Sequence, residues 1–269
     1  MSRSPLFAVT GLAVLLHLTG GCSWDSSPRR DASGGGADGR SITVLAASSL
    51  TDVFDRLVDQ YRSENPEVGI RLAFAGTPAV VAQVTTGAPV DVVATADARA
   101  MKRLVELDLV DEPVEFARNH LVLAVQEGNP LGIRDLGDLE SEDLTLVVCD
   151  VGVPCGTLAE RLIESAGVPV RVTAREPNAR ATLNRLRLGE ADAALVYLTD
   201  ALAADDVDFV ELPDSNRLDT AYLAAPTTSS RLQSAADEFV RFLVSPTARR
   251  TLVQAGFEVP RDSDRRAGR

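Results

Sequence analysis

Four short stretches carry polar groups where an apolar run gives way to helical spacing. The first is Ser48-Ser49, which ends Ile42-Thr43-Val44-Leu45-Ala46-Ala47 and precedes Leu50. The others are Ala75-Gly76-Thr77-Pro78, Val153-Pro154-Cys155-Gly156-Thr157 and Asn178-Ala179-Arg180. Their positions share one chemistry. A helix N-terminus presents unpaired N–H groups and a partial positive charge, and several aimed at one point bind an anion. Taken singly, each stretch is an ordinary helix start. Thr77 suits an N-cap with Pro78 at the first helical position, Thr157 and Glu160 have capping-box spacing, and Asn178 suits a cap. Only convergence separates the two readings, and spacing alone does not show convergence.

The elements that must position these groups follow from periodicity. Strand candidates are Ile42–Ala46, Gly69–Phe74, Asp91–Ala94, Leu121–Val125, Leu144–Val148, Val170–Ala174, Ala193–Tyr197, Val207–Leu212 and Ala221–Ala225. Leu50, Val53, Phe54, Leu57, Val58 and Tyr61 fall at helical spacing. So do Val80, Val81 and Val84, then Leu158, Leu162 and Ile163, and more loosely Leu183, Leu186 and Leu188. Strands alternating with helices predict βαβ units, largely parallel sheets and an α/β fold. In such sheets ligands bind beyond the carboxyl ends of strands, where the four stretches lie.

The chain has 269 residues, with 39 acidic and 27 basic side chains and a net charge of −12. That length fits one large domain or two modest lobes. Lys102 is the single lysine, no basic stripe appears, and nucleic acid is excluded as a partner. Arg3 and the apolar stretch Leu6 to Leu18 read as a signal peptide over residues 1–21. Leu18-Thr19-Gly20-Gly21-Cys22 resembles a bacterial lipobox, in which cleavage precedes a lipid-bearing cysteine, here Cys22; secretion with a free Cys22 is the alternative. Residues 22–40 are Gly-, Ser-, Asp- and Arg-rich, with too little apolar surface to offset ordering entropy, and read as a flexible tether. The tail 261–269 is likewise polar and reads as disordered. Cys149 and Cys155 can pair outside the cytoplasm if their Cα atoms come within ~7 Å; otherwise they are two buried thiols.

Gly87-Ala88-Pro89-Val90-Asp91-Val92-Val93-Ala94-Thr95-Ala96-Asp97 resembles the GAPADLFISAD segment of the periplasmic molybdate-binding proteins of ABC transporters. The opening ITVLAASSLTDVF is similar to that family's first strand and helix. Phe74-Ala75-Gly76-Thr77, Val153-Pro154-Cys155-Gly156, Ala194-Leu195-Val196-Tyr197 and Gln254-Ala255-Gly256-Phe257 also match, in order, over roughly residues 41–260. The resemblance implies a two-lobe type II periplasmic binding protein fold, each lobe a mainly parallel sheet flanked by helices. Lobe 1 is expected over 41–118 and 214–260, and lobe 2 over 119–213. It further implies an oxyanion, molybdate or tungstate, held in the cleft by hydrogen bonds alone. Ser49 and Thr77 would each give a hydroxyl and an N–H, Cys155 and Ala179 a backbone N–H, and Tyr197 its phenol. Thr77 replaces the usual serine and is followed by Pro78, which has no N–H. Ala179 replaces a larger aliphatic residue. The implied partners are an ABC permease and its ATPase. The implied protein is a monomer without a cofactor, extracytoplasmic and lipid-anchored to the outer face of the cytoplasmic membrane.

Neutral donors with no carboxylate suit a dianion that carries no proton, such as molybdate, tungstate or sulfate, so sulfate is the main alternative ligand. Monohydrogen phosphate needs an acceptor for its O–H and is disfavoured. Asp52 is expected to favour its own helix N-terminus, with an acceptor for a protonated anion as the alternative. Arg180 is expected to be a solvated helix residue, with a lid charge beside the cavity as the alternative. Asp97 is expected to cap the helix running to Leu107. Catalysis is not expected. Outside the signal peptide the one histidine is His120, placed before an apolar strand, and no Gly-x-Ser-x-Gly elbow, phosphate loop or dinucleotide fingerprint occurs. A ferric-type cation site lacks neighbouring tyrosines, since Tyr61, Tyr197 and Tyr222 are far apart in sequence.

Overall fold

The computed structural model describes residues 41–260 apart from 142 and 214. The expected signal peptide, the tether with Cys22, and the tail lie outside the described residues. In chain order, β1 (Ser41–Ala47) passes through a 3-10 turn (Ser48–Leu50) into α1 (Thr51–Glu64). Then come β2 (Gly69–Ala75), α2 (Thr77–Thr85), β3 (Val92–Thr95), α3 (Ala98–Glu106) and the long β4 (Val114–Gln126). β5 (Leu146–Cys149), α4 (Pro154–Ala166), β6 (Val172–Glu176), α5 (Ala179–Arg187), β7 (Ala193–Tyr197), α6 (Leu198–Leu202) and β8 (Val207–Val210) follow. β9 (Asp219–Pro226), α7 (Gln233–Leu243) and α8 (Pro246–Gln254) close the described chain.

The strands lie in the order β2-β1-β3-β9-β4-β7-β5-β6, with β8 also on β4. The apolar runs are continuous because both faces of each half are buried. On β1, Ile42, Val44 and Ala46 face one core with α1 and α7, while Leu45 faces another with Val80, Met101 and Leu104. On β7, Ala193, Leu195 and Tyr197 join the core under α4, and Ala194 and Val196 the core under α5. This period-2 partition puts helices on both faces of each half and defines a two-lobe α/β fold.

β4 joins the halves. Val114–His120 pairs with β9, and Leu121–Gln126 pairs with β7 and β8. Parallel pairing holds for β1 with β2 and β3 and for β5 with β6 and β7, whereas the crossing strands β4 and β9 pair antiparallel. β4 therefore starts earlier than its apolar run, and His120 lies within it rather than ahead of it. The mixed residues Val114–His120 hide the strand because they form one side of a crossing segment rather than a fully buried run.

Several local expectations change. Gly76, not Thr77, is the N-cap of α2. α4 begins at Pro154 after Val153, without a capping box. Thr157 Oγ1 instead donates to Val151 O, and Glu160 pairs with Arg175. Leu188 lies past the end of α5 and is 72% exposed. Asp97 and Asn178 do cap: their side chains accept from Arg99 N–H and Ala181 N–H. Among the described residues no helix is long and apolar enough to cross a membrane.

Candidate anion site

Six strand ends meet at one cavity of about 10 Å³. The first half contributes Ala47, Ser48 and Ser49 after β1, Gly76 and Thr77 after β2, and Ala96 after β3. The second contributes Val153, Pro154 and Cys155 after β5, Asn178 and Ala179 after β6, and Tyr197 at the end of β7. Ser49, Thr77, Cys155, Ala179 and Tyr197 are thus brought together, each at most 6% exposed. Among the described residues no charged side chain lines the cavity. Its volume is far below the ~300–1,000 Å³ of drug-sized clefts and close to that of one water, so the two halves are closed around it.

The donors are held in different ways. Thr77, Cys155 and Ala179 occupy the first turns of α2, α4 and α5, where N–H groups have no partner within the helix. Thr77 Oγ1 accepts the Ala96 N–H at 3.2 Å, which leaves its own proton to donate. Ser49 Oγ lies 2.8 Å from Tyr222 Oη. Among the described residues the buried Tyr197 phenol makes no hydrogen bond of good geometry, and the Tyr222 hydroxyl is the polar side chain that bears on it. Burial first, then the neighbouring Tyr222 and Asp200, pushes the Tyr197 pKa well above the ordinary tyrosine value, so it stays protonated and can only gain by donating. Burial likewise raises Tyr222.

The loop before α4 is closed by a Cys149–Cys155 disulfide, with Cα atoms 5.7 Å apart. Gly156 is required there, because a Cβ would stand 1.9 Å from Asp150 O. A Cβ on Gly76 would meet Pro177 O at 2.9 Å, so the backbones of the two halves touch at the cavity rim.

Charge stands at the rim instead. Arg180 of α5 donates to Asp52 of α1 across the cleft, so Arg180 is an ion-pair partner rather than a solvated helix residue. Behind it, Asp200 of α6 is 1% exposed, and neither carboxylate oxygen has a hydrogen-bond partner. Its pKa is pushed up to about 7, first by burial; Arg180 pulls it down and Asp52 pushes it up. Tyr222, Asn119 and Asp200 were not singled out by the sequence. Tyr222 sits in an apolar run that reads as core, and only the antiparallel return of β9 beside β4 takes it to Ser49. His120, 8% exposed, faces Glu211 and Glu258, away from the cavity-lining residues.

The sequence matches the model of a family described as bacterial extracellular solute-binding protein over residues 42–258, and the chain belongs to that family. Its members bind and deliver solutes and are not enzymes. The chain is 34% identical over 254 residues to the molybdate-binding protein ModA of Mycobacterium tuberculosis, covering 93% of this chain and 97% of that one. Its fold is that of the Azotobacter vinelandii periplasmic molybdate-binding protein (TM-score 0.74, 18% identity, 82% of this chain and 100% of that one). The sulfate-binding protein SubI of M. tuberculosis is similar in fold (TM-score 0.73, 19% identity, 83% and 88%). The two-lobe fold is therefore that of the type II periplasmic binding proteins.

Proposed function

We infer that this protein captures molybdate, and tungstate with it, between its two lobes and delivers it to an ABC permease driven by an ATPase. The observation that carries the reading is the meeting of Ser49, Thr77, Cys155, Ala179 and Tyr197 around one small uncharged cavity, with the Tyr197 phenol making no hydrogen bond of good geometry there. Fixed N–H dipoles and neutral hydroxyls stabilise a dianion in a low-dielectric site without a cation. Donors from both halves favour closure of the lobes over the solute. The change of partner along β4 at His120 and the return through β9 support a lobe division close to residues 118 and 214.

A monomer anchored at the outer face of the cytoplasmic membrane by lipid on Cys22 completes the reading, supported by the lipobox-like residues ahead of Cys22. Molybdate and sulfate both offer four oxygens and two charges, so cavity size must distinguish them. Calorimetric titration with molybdate, tungstate, sulfate and phosphate tests the assignment. Submicromolar dissociation constants are expected for the first two and weak or no binding for the others; submicromolar sulfate binding would overturn it.

A further inference from the structure

We propose that Arg180 is a cross-cleft latch that exchanges carboxylate partners, holding Asp52 when the lobes are closed and the buried Asp200 when they are open. The proposal rests on the proposed function in one respect only, that the lobes close on an anion. Asp52 lies three residues after Ser49, and Arg180 directly follows Ala179, so the ion pair ties together two segments that face the cavity. Arg180 and Asp200 belong to the same half, on α5 and α6, which pack together. Asp52 belongs to the other half. Between α1 and α6 runs an open groove lined by Ser49, Asp52 and Arg56 on one side and Thr199, Leu202 and Ala203 on the other, so the pair bridges a boundary reached by solvent.

Two carboxylates thus compete for one guanidinium. In the closed arrangement Asp52 holds it, and Asp200 keeps neither partner nor solvent, a state a carboxylate tolerates by taking a proton. When the lobes part, Asp52 leaves with its own half while Arg180 stays beside Asp200. Asp200 then ionises against the guanidinium. The groups that reach Asp200 are Arg180 from α5, Asp52 from α1, Tyr197 from β7 and Tyr222 from β9, and both phenols are neutral. β4 offers Asn119, whose amide donates to Thr199, and His120, turned to Glu211 and Glu258. β8 offers Asp208, which accepts from Gly128 N–H.

The sign follows. Asp200 has its higher pKa, about 7, in the closed form. Closing therefore takes up a proton, and affinity falls as pH rises from the ordinary carboxylate range near ~4 to about 7, by up to about tenfold per pH unit, then levels.

Two measurements decide it. Carboxyl 13C NMR on the ligand-free protein, where the lobes are open, should show Asp200 titrating in the ordinary carboxylate range near ~4. In Arg180→Gln, which removes the guanidinium, that midpoint should rise by about one unit or more. A midpoint unmoved by Arg180→Gln overturns the partner exchange, whether or not any anion binds. Calorimetry with molybdate at pH 6, in two buffers of different ionisation enthalpy, should show about one proton taken up per anion, and none in Asp200→Asn. Molybdate binding with no proton uptake in the unaltered protein also overturns it. No binding of any oxyanion defeats the proposed function and leaves the NMR result to decide the latch.

Discussion

The two lobes bring donors to the cavity by different means. In the first, Ser49 and Thr77 offer hydroxyls, and each hydroxyl is aimed by a second group, Tyr222 Oη for Ser49 and the Ala96 N–H for Thr77. In the second, Cys155 and Ala179 offer backbone N–H groups, aimed by the start of a helix. There the supporting features are a disulfide, a glycine without room for a Cβ, and the Asn178 cap. A hydroxyl depends on residue type, whereas an N–H depends on the path of the chain. In the second lobe Tyr197 is the proposed donor that would work through its side chain.

The sharpest break of that contrast is at Gly156. A methyl group there meets Asp150 O at 1.9 Å and cannot be absorbed by side-chain movement. Gly156→Ala should destabilise the protein by about 3 kcal/mol or more, read by urea unfolding, and lower anion affinity because the α4 N-terminus is displaced. Next comes the loss of one hydroxyl aimed at charge. Hydrogen bonds to charged groups contribute about 1.5–3 kcal/mol, so Ser49→Ala and Tyr197→Phe should each weaken molybdate binding about 10- to 150-fold by calorimetry. Tyr197→Phe should leave stability unchanged or improved, since it removes a buried hydroxyl that makes no hydrogen bond of good geometry among the described residues.

The same contrast explains what the sequence discloses. Buried βαβ strands announce themselves through runs such as Ala193–Tyr197, and all nine apolar runs overlap strands of the fold. The first half of β4 does not, because Val114–His120 is a crossing segment of mixed polarity. The short helix α6 is too brief to show a period. At the cavity, Ser49 and Tyr197 belong to motifs that residue types can carry. Asp97 and Asn178 are legible as caps because a cap is local. Thr77 and Thr157 are not: each looks like a cap, but the observed cap lies one residue earlier than Thr77 and four earlier than Thr157, and tertiary contacts set those entries. The Arg180–Asp52 pair spans 128 residues, and Tyr222 reaches Ser49 across 173. Spacing carries no information on such meetings.

Tyr222 sharpens the comparison from the first lobe's side. If its hydroxyl donates to Ser49 Oγ, the serine proton is left for the anion. Tyr222→Phe removes that aim while keeping the ring packed against Phe116 and Phe257. An ordinary hydrogen bond contributes ~0.5–1.5 kcal/mol net, so binding should weaken about 2- to 12-fold, less than in Ser49→Ala. In the double variant Ser49→Ala/Tyr222→Phe the two effects should not add, since the phenol acts through the serine.

The smallest effect is expected where a donor is named by position and not by side chain. Ala179 stands at the first turn of α5, and its N–H direction is fixed by the helix and by the Asn178 carboxamide accepting from Ala181 N–H. Ala179→Val changes the side chain and leaves the N–H in place. The molybdate-binding family that the sequence resembles carries a larger aliphatic residue there, so the added methyls should be accommodated. Affinity should change by less than about threefold, and stability by about 1 kcal/mol at most, the range of a modest volume change with a β-branched residue in a helix. Asn178→Ala is the companion measurement, because it loosens the α5 start without altering Ala179 and should cost about 1 kcal/mol of stability. If Ala179→Val weakens binding as much as Ser49→Ala while the fold stays intact, the second lobe presents side-chain surface rather than backbone dipoles to the solute, and the contrast between the lobes fails.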